Sequence, residues 1–167
     1  QRISEDSITV VKDEKNLLPI KVEDILTISP TPALMTGVED SSKMVDPFAK
    51  MVANRLGGDY SVMEVDPDDS YIEAMAKKAE GRGLVIVGTY NANLNPGQVK
   101  LIEEIYRRNE NIIVVALRNP YDVLEFQYIS TYICAYEYTP LSIYSLLEIL
   151  SGSREPVGKL PISLEMR

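Results

Sequence analysis

Histidine is absent from this 167-residue chain, so any chemistry it performs must come from carboxylates, amides, phenols and a thiol. Ser-His-Asp and Cys-His nucleophile systems are thereby removed, as is every zinc site that needs a histidine. The single cysteine, Cys134, can form neither a cysteine zinc site nor an internal disulfide. Its place in the apolar run Tyr132-Ile133-Cys134-Ala135-Tyr136 reads as a buried, inert thiol, and the redox compartment stays open. No Gly-x-x-x-x-Gly-Lys-[Ser/Thr] loop is present. Gly81-Arg82-Gly83 precedes a strand-like run instead of following one, so no dinucleotide fingerprint is predicted. Neither a metal nor a cofactor is expected.

Carboxylates remain. A pair held about 5 Å apart, one ionised and one protonated, hydrolyses glycosidic bonds with retention. Asp66-Pro67-Asp68-Asp69 and Glu103-Glu104 read instead as a helix start and an exposed helix face. Glu137 is the better candidate for a catalytic acid, because it follows a strand-like run in a loop flanked by Tyr136 and Tyr138; the competing reading is an exposed loop carboxylate. Other polar candidates also follow strand-like runs: Thr89, Tyr90, Asn91 and Asn93 after one, Arg118 and Tyr121 after the next. Asn119 is expected to cap a helix starting at Pro120, with Asp122 in its first turn.

Elements that would position these residues alternate along the chain. Strands are predicted at residues 24–29, 60–65, 84–88, 112–117 and 128–135, with 160–164 as a final edge strand. Helices fill the gaps. Asn95-Pro96-Gly97-Gln98 combines a capping side chain, a proline in the first turn and a glutamine able to reach back. Residues 68–79 begin acidic, end in Lys77 and Lys78, and precede Gly81. Thr139-Pro140 opens a helix closed by Gly152, and Asp46-Pro47 opens one running to Gly57. This pattern predicts an α/β fold: a three-layer α/β/α sandwich with a mostly parallel, five- or six-stranded sheet, flavodoxin-like. In such a sheet the loops after the strands converge on the carboxyl edge, where ligands bind. Residues 29–42 form the longest predicted loop, and Gly158 is expected to hold a positive φ.

At 45% hydrophobic content the chain can bury a full core as one domain spanning residues 1–167. Its 17 basic and 25 acidic residues give a net charge of −8, which argues against a nucleic-acid or anionic-membrane partner. No run of 18 apolar residues occurs, so no membrane-spanning segment is predicted, and any targeting signal is expected upstream of Gln1. The compartment is left open.

Four segments, in order, resemble the second domain of family 3 glycoside hydrolases. The closing one is Pro156-Val157-Gly158-Lys159-Leu160-Pro161-Ile162-Ser163. Ser7-Ile8-Thr9-Val10-Val11-Lys12-Asp13-Glu14-Lys15-Asn16-Leu17-Leu18-Pro19-Ile20 is similar to the opening of that domain. Val114-Val115-Ala116-Leu117-Arg118-Asn119-Pro120-Tyr121-Asp122 is similar to its strand followed by Asn-Pro-Tyr-Asp. Ala135-Tyr136-Glu137-Tyr138-Thr139-Pro140 looks most like the β-N-acetylglucosaminidase branch. The resemblance implies that the chain is the C-terminal domain of a larger retaining glycosidase whose catalytic (β/α) barrel, bearing the Asp nucleophile, is absent here. The barrel would be its partner within the same polypeptide, an amino sugar would be the substrate of the whole enzyme, and no cofactor would be required. In the β-glucosidase branch the general acid comes from the second domain. In the branch this loop resembles it comes from a His-Asp pair on the barrel, with a small residue where Glu137 stands. Asn91, Asn93, Arg118, Tyr121 and Tyr136 would face the barrel or its sugar, and the isolated domain would be inactive. The reading from a different class is an independent flavodoxin-like module that binds a small polar ligand or a protein.

Overall fold

The uninterrupted apolar runs Leu84–Thr89 (β4) and Ile112–Ala116 (β5) lie side by side in parallel and are buried along their whole length, as expected of strands covered on both faces. In this computed structural model, which describes residues 8–31 and 46–157, they are the centre of one six-stranded sheet. Its remaining strands are β1 (Thr9–Asp13), β2 (Ile25–Pro30), β3 (Asp59–Met63) and β6 (Thr131–Cys134), in the order β1-β6-β5-β4-β2-β3. Strands β2 to β6 are parallel and have the doubly wound order of flavodoxin-like folds; β1 adds to β6 in the antiparallel sense.

Helices cover both faces. Helices α1 (Phe48–Leu56) and α4 (Pro140–Ser151) bury Phe48, Val52, Leu146 and Leu150 against Ile86, Val115 and Ile133. Helices α2 (Asp69–Ala79) and α3 (Pro96–Arg108), with a 3-10 helix at Pro120–Phe126, bury Ile72, Ile102, Ile105 and Phe126 against Ile28, Val87 and Tyr132. The α/β/α sandwich read from the sequence is therefore the fold. Local signals account for several ends. Asp68 caps α2 by accepting from the Tyr71 amide, Thr139 caps α4 by accepting from the Ser142 amide, and Gly152 ends α4 with a φ of 79°.

Other expectations need correcting. Asn95 does not cap α3 with its side chain. Its amide nitrogen turns back to the carbonyls of Tyr90 (3.3 Å) and Asn91 (2.9 Å). A missing cap costs about 1 kcal/mol, less than the roughly 1.5–3 kcal/mol contributed by each of Leu101, Ile102 and Ile105 on burial, so α3 forms regardless. The strand predicted at 60–65 stops at Met63, because the Gln98 amide and the Gly97 N–H draw Val65 and Asp66 aside. The strand predicted at 128–135 begins at Thr131, since Ile129 closes a turn on Phe126. The segment after Pro120 is a 3-10 helix. Strand β1 was not anticipated: its mixed residues are only half-buried at the sheet edge and show no clean alternation. The predicted strand at 160–164, the φ of Gly158 and most of the loop at 29–42 lie outside the described residues.

Candidate functional site at the carboxyl edge of the sheet

Two of the loops that follow parallel strands are joined by side-chain hydrogen bonds. Thr89 ends β4 buried, and after it Asn91 takes a left-handed conformation (φ 48°, ψ 51°) and Ala92–Leu94 make a single 3-10 turn. Asparagine tolerates that backbone better than most residues. After β5, Asn119 accepts from the Tyr121 amide (3.1 Å), as predicted for a cap, and its side-chain nitrogen donates to Asn93 Oδ1 (3.3 Å) across the gap between the loops. The Arg118 guanidinium lies 5.9 Å from the centroid of the Tyr90 ring, within cation–π range. Asn91, Asn93, Arg118 and Tyr121 are thus brought to one rim, with Tyr121 49% and Leu94 73% exposed. A groove of about 590 Å³ runs beside this rim, lined by Asn93, Pro96, Val99, Glu103 and Glu125 among others.

Tyr136, after β6 on the same edge, turns its side chain away from this rim. It has a φ of 63°, uncommon for a bulky residue, and the Glu137 N–H donates across it to the Ala135 carbonyl (2.8 Å). Its ring packs on the core and its hydroxyl donates to Thr9 Oγ1 (3.3 Å) on β1. Glu137 is exposed, and its side chain makes no hydrogen bond or ion pair among the described residues.

Four side chains have roles other than those the sequence suggests: Asp122, Tyr138, Ser29 and Gln98, the last of which reaches Tyr90 and Val65 instead of its own helix start. Asp122 is fully buried, and burial pushes its carboxyl above the usual range despite hydrogen bonds from the Ala92 amide and the Thr89 hydroxyl. The Tyr138 hydroxyl accepts from the Phe48 amide (2.7 Å) and donates to the Pro30 carbonyl (2.8 Å), while Ser29 Oγ accepts from the Ala49 amide (2.9 Å). These two side chains cap α1, whose own N-cap, Pro47, offers no acceptor side chain. Buried Gln98 accepts from the Tyr90 amide (2.9 Å) and donates to the carbonyls of Tyr90 and Val65. None has a local signal, because each partner lies at least eight residues away.

Among the described residues no group of three or more Asp, Glu or Cys is arranged to hold a metal ion, and no helix is long and apolar enough to cross a membrane. Burial pushes the Cys134 thiol up to about 12, so it stays protonated. A second groove, about 370 Å³, lies between α1 and α4 beside Arg55, Tyr144 and Glu148, on a helical face away from the rim.

Comparison with solved structures finds the same fold in larger enzymes. A fungal multi-domain family 3 β-N-acetylglucosaminidase is 27% identical with a TM-score of 0.77, over 98% of this chain and 18% of that one. A family 3 β-N-acetylglucosaminidase from Paenibacillus sp. str. FPU-7 is 26% identical with a TM-score of 0.79, over 96% of this chain and 31% of that one. A β-glucosidase from Bifidobacterium adolescentis, 15% identical with a TM-score of 0.68 over 93% of this chain and 27% of that one, shares the fold. This chain thus spans less than a third of the length of each of these three. A comparison with curated proteins returns no match. The family model described as the glycosyl hydrolase family 3 C-terminal domain matches residues 8–167, and the chain belongs to that family.

Proposed function

We propose that the chain is the accessory C-terminal domain of a retaining β-N-acetylglucosaminidase, bracing a catalytic barrel and forming one wall of its sugar cleft with the carboxyl edge of the sheet. The observation that carries this is the rim itself. Asn93 and Asn119 tie two loops together, Arg118 lies over Tyr90, and Tyr121 and Leu94 stand exposed beside them. Polar groups of fixed geometry with exposed apolar and aromatic neighbours suit a surface that meets another domain or a sugar. The two β-N-acetylglucosaminidases at 26–27% identity support the amino-sugar reading over the β-glucosidase one. Asn91, Asn93, Arg118 and Tyr121 are the proposed contacts; Tyr136 contributes by shaping the loop after β6.

Hydrolysis belongs to the barrel in this reading, and exposed Glu137 is not the acid. Purified chain incubated with a chromogenic N-acetyl-β-glucosaminide should release product at the background rate. Turnover abolished by Glu137→Gln would overturn the assignment. A barrel fragment added in trans should shift the amide resonances of residues 89–93 and 118–121 before those of α2 and α3. Shifts confined to the outer helix faces would reject this edge.

A further inference from the structure

Asp122 is buried with no countercation among the described residues, and nothing in the function just described uses it. One of its oxygens, Oδ2, accepts from the Thr89 hydroxyl (3.1 Å) and the Ala92 amide (3.0 Å), and the Asn93 amide lies near enough to favour the charged carboxyl. These successive amides follow left-handed Asn91, a backbone arrangement that turns neighbouring N–H groups toward one acceptor. Among the described residues its second oxygen, Oδ1, has no partner, and neither has the buried hydroxyl of Tyr132.

We propose that Asp122 is a positioning residue, the internal acceptor that fixes the loop after β4 and thereby sets Asn91 and Asn93 on the carboxyl edge. A residue serving its own 3-10 helix could stay at the surface and cap it, as Asn119 does. Asp122 is instead drawn under the neighbouring loop, where burial of a carboxyl is unfavourable unless donors meet it. The groups that face it are Thr89 on β4, the amides of Ala92 and Asn93, Glu125 on its own helix, and Tyr132 and Cys134 on β6. The clasp stands on this geometry alone; its consequence for function rests on the proposal that the edge meets the barrel.

Amide hydrogen exchange on the 167-residue chain tests it. Asp122→Ala removes the acceptor and should speed exchange at Ala92 by about tenfold or more, whereas Asp122→Asn, which keeps an acceptor oxygen, should stay within about threefold of the original. Equal exchange in Asp122→Ala and the unmodified protein overturns the clasp. Should Asp122→Ala fail to fold, the unmodified protein still decides: the amide proton of Ala92 must titrate with the Asp122 carboxyl carbon at one midpoint, and an Ala92 amide that ignores that titration overturns it. In the parent polypeptide, Asp122→Ala should expose residues 118–121 to exchange. No change there, with the clasp upheld in the isolated chain, would reject the barrel-facing reading and leave the positioning role standing.

Discussion

At the amino edge of the sheet, Arg82 lies between Asp24 (3.0 Å) and Asp59, and Asn109 donates to the carbonyls of Ala79 (3.0 Å) and Arg82 (2.8 Å). Asp13 there accepts from two backbone amides, of Leu17 and Leu18, and from the Thr131 hydroxyl. The carboxyl edge is also hydrogen-bonded, yet among the described residues it leaves Asp122 Oδ1 without a partner, holds Tyr136 at a positive φ and exposes Leu94 and Tyr121. One edge uses charge and polar groups to close the fold. Strain is not confined to the carboxyl edge, since among the described residues the amino edge has Ser130 Oγ without a partner and Asn16 at a φ of 52°; the carboxyl edge differs in placing a buried carboxyl beside exposed Leu94 and Tyr121.

The hardest blow to this contrast should fall on the amino edge. Gly58 has a φ of 87°, and a Cβ there would press on the Ile25 carbonyl. Gly58→Ala should cost on the order of 3 kcal/mol in denaturant unfolding while leaving the amide shifts of residues 90–95 in place; a shift there would show that the edges are not separable. Tyr138→Phe is next, at about 1–3 kcal/mol, because the Phe48 amide and the Pro30 carbonyl lose their partner. An unchanged unfolding midpoint would remove Tyr138 as the link between α1 and the rim.

Acid sharpens the comparison, since the edges respond with opposite sign. The hydrogen bond and charge of Arg82 hold Asp59 below the ordinary carboxyl value of 3.8, so its contribution is present above that value and is lost as pH falls through its folded-state pKa. Burial holds Asp122 above 3.8. Its protonation therefore favours the folded state, with the contribution complete below 3.8 and lost as pH rises through the raised folded-state pKa. Relative to Asp122→Asn, the unmodified protein should gain stability between neutral pH and pH 4 (roughly the carboxylate range); a parallel pair of stability profiles would refute the assignment. The smallest effect is expected from Arg82→Met, which should lower the midpoint modestly and blunt its salt dependence, because the partner carboxylates are more than half exposed. No change in salt response would mean the ion pairs contribute nothing at that edge.

The same contrast separates features that the amino-acid sequence makes legible from those it hides. Strands β4 and β5 are legible because burial on both faces makes them unbroken apolar runs, and the ends of α2 and α4 are legible because Asp68, Thr139 and Gly152 act within one turn of their own position. Asn91, Asn93, Arg118 and Tyr121 follow from topology, as residues after parallel strands. Asp122 and Tyr138 do not, since their partners lie 30 to 33 and 90 to 108 residues away. Asn95 misleads for the same reason. Its local pattern matches a cap, but the carbonyls of Tyr90 and Asn91 compete for the same side chain. The half-exposed β1 gives no periodicity to detect.

Gln98 reduces the number of independent motions available to the rim. Its amide group holds the Val65 carbonyl with its nitrogen and the Tyr90 amide with its oxygen, so the loops after β3 and β4 are tied to one side chain. Through Asn93 and Asn119 that tie extends to the loop after β5. The loop after β6 is fastened instead to β1 by Tyr136 and to β2 and α1 by Tyr138. Among the described residues the carboxyl edge is therefore tied in two groups, one spanning the loops after β3, β4 and β5 and one joining the loop after β6 to β1, β2 and α1, and an object seated across both would set their spacing, whereas one bound to either alone would not.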